Sequence, residues 1–221
     1  MKIQKAFTLA ETFVTLTIIG VIAALTIPSL IVKVTDDQLA TKWKKTLAEL
    51  SDATQKIDLN HDIDTSSHSN LRDDYAEVMN FIATGNFDVL LGSVITYKYY
   101  KGNGFWTTSS GGAYAAGQLP SGAVIGFYRY STTCAYTSTA AYGGGTLTGI
   151  CAELDIDVNG DDPPNMVGKD YNMAWLIKKD GVYQVISTGT NSDGTSCVAG
   201  GNTWKTSFGC AVYPLKGTPL P

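Results

Sequence analysis

The chain opens with an almost uninterrupted apolar run and then changes to mixed polarity. The run from Phe7 to Leu30 would be about 36 Å long as a helix, which is enough to cross a hydrocarbon core of about 30 Å. Beyond Val32, apolar side chains recur at steps of three and four between Lys, Asp and Glu. These positions are Leu39, Trp43, Leu47, Leu50, Thr54 and Ile57. The pattern predicts one helix from Phe7 to about Leu59, with its second half packed on a globular domain.

Two further segments lie between this helix and the β-type sequence that begins at Ser93. The stretch HDIDTSSHSN, from His61 to Asn70, reads as a polar loop. Its two histidines and two aspartates are metal-ligating residue types, but no pattern fixes their geometry, so a solvated loop is favoured. The residues from Leu71 to Leu91 carry a shorter helical pattern, which we expect to end near Gly85 as a C-cap.

From Ser93 onward the sequence is typical of β-structure. SVITYKYYK and GAVIGFYRY are β-branched and aromatic runs between Gly and Ser, and AWLIKKDGVYQVIS predicts a hairpin around Asp180-Gly181. A last strand is expected from about Phe208 to Tyr213. Several aromatic residues are interpreted as half-buried sheet residues: Tyr128, Tyr130, Trp175 and Tyr183. The predicted fold class is α+β, a long N-terminal helix packed on an antiparallel β-sheet domain.

Composition excludes some functions and suggests disulfides. The chain of 221 residues carries a net charge of −4 and contains no basic block, so nothing indicates nucleic-acid binding. The four cysteines form no CxxC pair and lie far from the histidines, which argues against zinc. An even number of cysteines beyond a membrane helix favours two disulfides. Pairing of sequence neighbours, Cys134 with Cys151 and Cys197 with Cys210, is preferred, although three connectivities remain open.

The N-terminal segment contains a carboxylate, Glu11, that is expensive at membrane depth. Lys2 and Lys5 precede the run and predict a cytoplasmic N-terminus. The residues Lys5, Ala6, Phe7, Thr8, Leu9 and Glu11 resemble the class III leader and methylation site of type IV pilins and type II secretion pseudopilins. Ala6 stands where Gly is usual in that family. Gly20 and Pro28 fall where family members carry residues that loosen the helix.

The resemblance implies a processing and assembly route. A prepilin peptidase would cleave between Ala6 and Phe7, leaving a methylated, cationic amine on Phe7. In the family, the glutamate corresponding to Glu11 neutralises the amine of a neighbouring subunit during filament assembly. Pairing lowers the cost of each charge in lipid, so an unpaired Glu11 would favour docking in register. A plain membrane anchor with an incidental Glu11 is the less favoured alternative.

An acidic stretch, AELDIDVNGDDPPNMVGKD, is the other candidate for specific chemistry. Its acids alternate with apolar residues and should share one face of a strand. An EF-hand is excluded because Met166 occupies the twelfth position and Pro163-Pro164 would stop a following helix. A calcium turn is an alternative to a solvated turn, which we favour. The candidate ligands are Asp157, Asn159, Asp161 and Asp162. Asp157, Asn159, Gly160, Pro164, Asn165, Gly168, Asp170 and Tyr171 resemble a segment of pilin-like C-terminal domains.

These observations give one leading function and two alternatives. The domains are a leader (residues 1–6), a membrane half of the helix (7–32), an amphipathic half (33–60) and a β-rich domain (61–221). The leading function is a structural filament subunit, not an enzyme, held in the inner membrane before assembly at the periplasm or cell surface. Its partners would be like subunits, the prepilin peptidase and an assembly platform, with calcium as the one candidate cofactor. A membrane-anchored adhesive module and an anchored enzyme are the second and third hypotheses.

Overall fold

The structure is a computed structural model, and it describes residues 8–92, 95–99, 105–107, 114–138, 146–189, 197 and 207–218. Helix α1 runs from Leu9 to Asn60, as the apolar and amphipathic patterns predict, and it is continuous through Pro28. The chain divides into two compact units between Gln38 and Leu39. In the first unit the structure describes residues 8–38, and from Leu9 onward these belong to α1.

The second unit begins with the amphipathic half of α1 and a shorter helix. Ser67 caps the N-terminus of α2 (His68–Val78) by accepting a hydrogen bond from the Asn70 amide. The predicted second helix is therefore too long, because the chain becomes extended at Met79. Gly85 lies in strand β1 (Ala83–Asn86), which pairs with residues 115–118, and the single turn α3 follows as Phe87–Leu90.

Ten strands are found among the described residues, and they form one mixed sheet. The remaining nine are β2 (Thr96–Tyr99), β3 (Phe105–Thr107), β4 (Ala115–Gln118), β5 (Val124–Arg129), β6 (Tyr136–Ser138), β7 (Leu147–Asp157), β8 (Met166–Val167), β9 (Tyr171–Lys179) and β10 (Val182–Ser187). Their order is β1-β4-β5-β7-β9-β8-β2-β3, with β10 on β9 and β6 on β7.

The sheet is not wholly antiparallel, which corrects the predicted fold in one respect. The two-residue strand β8 pairs in parallel with both β2 and β9. The β9–β10 hairpin is present as predicted, and both turn residues, Asp180 and Gly181, have positive φ. Such angles match the twist of a two-residue hairpin, and for this reason Asp-Gly is a strong hairpin signal.

Both faces of the sheet are covered by apolar side chains. On one face, α1 and α2 bury Trp43, Leu50 and Tyr75 against Phe127 and Leu154. The opposite face is aromatic and includes Phe87, Tyr97, Tyr171, Trp175 and Phe208. Alternation along β7 and β9 sends successive side chains into the two layers. As a result Trp175 and Tyr183 are almost fully buried, whereas Tyr128 and Tyr130 are half-buried as predicted.

The C-terminal segment forms helices where a strand was predicted. A 3₁₀ turn spans Gly209–Ala211 and leads directly into α4 (Val212–Lys216), which ends at Gly217 with a left-handed φ of 69°. The strand prediction was wrong. The apolar side chains of this segment are buried in a helical conformation, and its backbone pairs with no strand among the described residues. The Ala211 carbonyl accepts a hydrogen bond from the Trp43 indole at 2.8 Å.

Candidate functional site: the N-terminal helix and a buried acidic strand

The first half of α1 exposes its apolar side chains on every side. From Leu9 to Val34 the large hydrophobic residues are between 47% and 89% exposed. This helix is long and apolar enough to cross a membrane, judged by length and composition. Exposed apolar surface of this extent is costly in water, so a lipid phase or other protein surface must cover it.

Glu11 lies in the first turn of α1 and is held by Thr8. Its Oε2 atom accepts hydrogen bonds from the Thr8 amide and from the Thr8 hydroxyl, both at 2.8 Å. The Glu11 amide in turn donates to the Thr8 hydroxyl at 3.3 Å. This reciprocal arrangement is a capping box, which satisfies amides at the start of a helix. Both bonds to the carboxylate use Oε2, so Oε1 takes no part in the cap.

The other N-terminal predictions concern the cleavage site and two residues within the helix. The predicted cleavage residues Ala6 and Phe7 lie outside the described residues. Gly20 and Pro28 both lie within helix α1, and apart from the helix backbone itself no group packs against the Gly20 α-carbon. A proline inside a helix removes one backbone hydrogen bond. Loosening of the helix between Gly20 and Pro28 stays a prediction, and α1 is continuous through both residues.

The three acids of β7 share one face of the strand, as the alternation predicts, but they are buried. Glu153 is 8% exposed, Asp155 is 3% exposed and Asp157 is fully buried. The solvated turn that the sequence favours is therefore wrong for Asp157, whereas Asp161 and Asp162 are exposed. The aromatic layer covers this face of β7, and its phenols supply polar partners that the sequence pattern does not reveal.

Glu153 and Asp155 form a carboxyl pair surrounded by tyrosines. The Tyr130 hydroxyl donates to Glu153 Oε2 at 2.9 Å, and Tyr114 lies against Asp155. Burial raises the pKa of Glu153 well above its usual range, with the Asp155 charge adding to the effect. Burial also raises the pKa of Asp155 to about 6. Two acids this close in a dry layer favour sharing a proton over carrying two charges.

Asp157 belongs to a second buried pair, with Asp170. Its carboxylate accepts hydrogen bonds from the Tyr97 hydroxyl and from the Asn159 amide at 3.0 Å. Burial, followed by the charge of Asp170, raises the pKa of Asp157 to about 8. Asp170 itself is fully buried and accepts from the Met166 amide at 2.6 Å and the Tyr171 amide at 3.0 Å.

The predicted calcium ligands are not brought together as a set. Asp157 is buried, whereas Asp161 and Asp162 are exposed on the turn of residues 158–165, here called the acidic turn. Within the part of the chain that the structure describes, no group of three or more His, Cys, Asp or Glu is arranged to hold a metal.

A different oxygen set lies beside Asp157 and fits a hard cation better. Three buried acceptor atoms there have no hydrogen-bond partner: Asn159 Oδ1, Asn165 Oδ1 and Asp170 Oδ2. Carboxylate and amide oxygens are the ligands that calcium prefers, and unpaired buried oxygens carry a desolvation cost that a cation would offset. Residues 157, 159, 165 and 170 are therefore the ones that would hold a structural calcium.

Sequence reasoning missed two members of this arrangement. Tyr97 reaches Asp157 across 60 positions of sequence, which no local pattern could indicate. Asp170 belongs to the segment that resembles pilin-like domains, but its residue type alone does not mark it as a ligand. The signal in the sequence is its position two residues after Gly168, which has a left-handed φ of 89° and where the Ser207 carbonyl leaves no room for a side chain.

Both disulfides join sequence neighbours. Cys134 bonds to Cys151 and Cys197 bonds to Cys210. The structure therefore contains disulfide bonds, as expected of a domain outside a reducing cytosol. His61 and His68 do not form a metal site among the described residues. Instead, His61 lies 3.5 Å from Glu77, and His68 stacks on Tyr128.

Comparison with protein-family models, with curated proteins and with solved structures gives no match for this chain.

Proposed function

We propose that the chain is a structural subunit of a type IV pilus-like filament or of a type II secretion pseudopilus. The observation that carries the proposal is the single carboxylate, Glu11, in the first turn of a helix half that is otherwise apolar and exposed. The leader-like residues before it agree with this interpretation. In such a filament, the apolar half of α1 passes from lipid into a bundle of equivalent helices.

The capping geometry supports a specific role for Glu11. Thr8 holds the carboxylate at the positive end of the helix dipole, which favours a negative charge there. Oε1 is outside the cap and remains available to the cationic amine of a neighbouring subunit. Pairing the two charges would remove a cost of about 2.5–3.5 kcal/mol for an unpaired acid in lipid. A subunit that docks out of register would not recover that energy.

The β-rich unit provides the part of the subunit outside the membrane. Its two disulfides and its two-faced sheet suit an oxidising compartment. Lys2 and Lys5 favour retention of the N-terminus in the cytoplasm, which places this unit on the opposite side of the membrane.

The test is the intact mass, with N-terminal peptide mapping, of the protein recovered from membranes and from sheared surface material. A filament subunit should begin at a methylated Phe7. A chain that retains residues 1–6 in both fractions would contradict the proposal and favour an anchored adhesive module. A chain beginning at Phe7 in membranes but absent from sheared material would support processing and exclude surface assembly under those conditions.

A further inference from the structure

The peptide bond between Asp162 and Pro163 lies in the exposed part of the acidic turn, between β7 and β8. It is the only Asp-Pro bond in the sequence. Its carbonyl oxygen, on Asp162, accepts a hydrogen bond of 2.6 Å from Asn159 Nδ2. We propose that this bond is a self-cleavage site, at which the Asp162 carboxylate attacks its own backbone carbonyl and splits the chain.

The two residues at the bond have the chemistry that such a step requires. An aspartate carboxylate and its own backbone carbonyl carbon are linked by two atoms, so attack closes a five-membered ring with the advantage of an intramolecular reaction. The proline nitrogen carries no hydrogen and bears two alkyl substituents in addition to the acyl group. It is therefore more basic than an ordinary amide nitrogen and leaves more readily once it is protonated.

The step balances without any co-reactant except water. A carboxylate oxygen of Asp162 bonds to the Asp162 carbonyl carbon, and the carbonyl oxygen becomes an oxyanion. The bond from that carbon to the Pro163 nitrogen then breaks, and the nitrogen takes a proton from solvent and leaves as an amine. The product at Asp162 is a cyclic anhydride. Water opens it, leaving a free carboxyl at the new C-terminus and an amine at Pro163.

The fold contributes a fixed hydrogen-bond donor at the atom where charge develops. The Asn159 amide donates to Asp157 Oδ1 at 3.0 Å, and Asp157 is fully buried, so the backbone of Asn159 is tied to the interior. The side-chain Nδ2 donates to the Asp162 carbonyl at 2.6 Å and, over the longer distance of 3.3 Å, to the Pro163 carbonyl. In a water-excluded enzyme site, loss of one such donor slows reactions through an oxyanion by about 10²- to 10³-fold. At this exposed turn the same donor should contribute less, about tenfold.

The bond is open to solvent. Solvent can therefore supply the proton that the Pro163 nitrogen takes and the water that opens the anhydride. The side chains of Asp162 and Pro163 are exposed. The cut would separate β7 from β8 in sequence but not in space, because β7 pairs with β9 over residues 150–157. The Cys134–Cys151 bond lies wholly before the cut and the Cys197–Cys210 bond wholly after it. The two fragments would remain associated in the native state and separate on denaturation without reduction.

The experiment follows fragment formation by the full chain in detergent micelles, in mildly acidic buffer, by non-reducing denaturing gel and by mass spectrometry. Parallel samples are the native chain, the chain unfolded in urea, and the variants Asp162→Ala, Asn159→Ala and Asp161→Asn. The last is a matched control because it removes the exposed carboxylate next to Asp162 and leaves Asp162, Pro163 and Asn159 in place. Native wild type and Asp161→Asn should produce a new amino terminus at Pro163.

Asp162→Ala should not cleave, and Asn159→Ala should cleave at least about tenfold more slowly than wild type. The thermal unfolding midpoint of each variant is measured beside it. If Asn159→Ala does not fold, the comparison of native wild type with urea-unfolded wild type takes its place. Equal rates in the native and unfolded chains, cleavage by Asp162→Ala, or no new amino terminus in native wild type would each overturn the proposal.

Discussion

The indole of Trp43 donates a hydrogen bond of 2.8 Å to the carbonyl of Ala211, across 168 positions of sequence. Both residues are fully buried. The contact ties the amphipathic half of α1 to the segment that follows β10. It lies at the start of the helical C-terminus, where the residue pattern alone favours a strand.

Replacing Trp43 with Phe should lower the free energy of unfolding by about 1–3 kcal/mol, because the buried Ala211 carbonyl loses its partner. The smaller ring also leaves a gap in the layer between α1 and the sheet. Denaturant unfolding of the full chain in detergent would measure the change. Tyr183→Phe is the matched control, since it removes a longer bond of 3.3 Å to the Ile63 carbonyl and should cost less. Equal losses would argue against a special role for Trp43.

Glu11→Gln should allow membrane insertion yet impair incorporation into filaments. Glutamine at this position still completes a capping box with Thr8, so the variant removes the charge and keeps the cap. Thr8→Ala does the reverse, and should insert and assemble with only a modest loss. Glu49→Gln, on the amphipathic half of α1, controls for loss of a carboxylate elsewhere. Quantitative blotting of membrane and sheared fractions checks these outcomes. Normal incorporation of Glu11→Gln would contradict charge pairing between subunits.

Calcium should raise the thermal midpoint of the full chain, and a chelator should lower it again. A ligand at a hundred times its dissociation constant contributes about 2.7 kcal/mol, which corresponds to several degrees for a protein of this size. Asp170→Asn should abolish the shift, whereas Asp161→Asn should retain it because Asp161 is exposed on the acidic turn. If Asp161→Asn lost the shift and Asp170→Asn kept it, calcium would bind at the exposed acids of the acidic turn and not beside Asp170. No shift in wild type would mean that this region holds no calcium.

Stability should fall as pH rises because of the Glu153–Asp155 pair. Burial raises the pKa of both groups above their unfolded values, to about 6 for Asp155. A raised pKa stabilises the fold fully below the unfolded pKa, and that stabilisation is lost as pH rises through the folded pKa. The free energy of unfolding should therefore decline from about pH 4 to beyond pH 6, by on the order of a few kcal/mol.

Glu153→Gln should make this decline shallower, since it removes one buried acid with a raised pKa and leaves Asp155, Asp157 and Asp170 to titrate in the same direction. Denaturant unfolding at a series of pH values would measure both slopes. The control is Asp52→Asn, which removes an exposed carboxylate on α1 and should leave the slope unchanged. Equal slopes in wild type and Glu153→Gln would show that Glu153 is not protonated in the folded chain.

The sequence by itself determined the features that depend on local spacing. The length of α1 follows from its apolar run and the stripe from Leu39 to Ile57, and the β9–β10 hairpin follows from Asp180-Gly181. The shared face of Glu153, Asp155 and Asp157 follows from the period of two along a strand. In each case neighbouring residues carry the whole signal.

The tertiary structure decided whatever depends on partners distant in sequence. Alternation places the β7 acids on one face, but only the aromatic layer from Tyr97, Tyr114 and Tyr171 determines that this face is dry. The short helix from Val212 forms where the Ala211 carbonyl meets Trp43, and β1 replaces helix at Gly85 because β4 lies beside it. Burial and cross-sheet hydrogen bonds are properties of the assembled layers, and a single segment does not encode them.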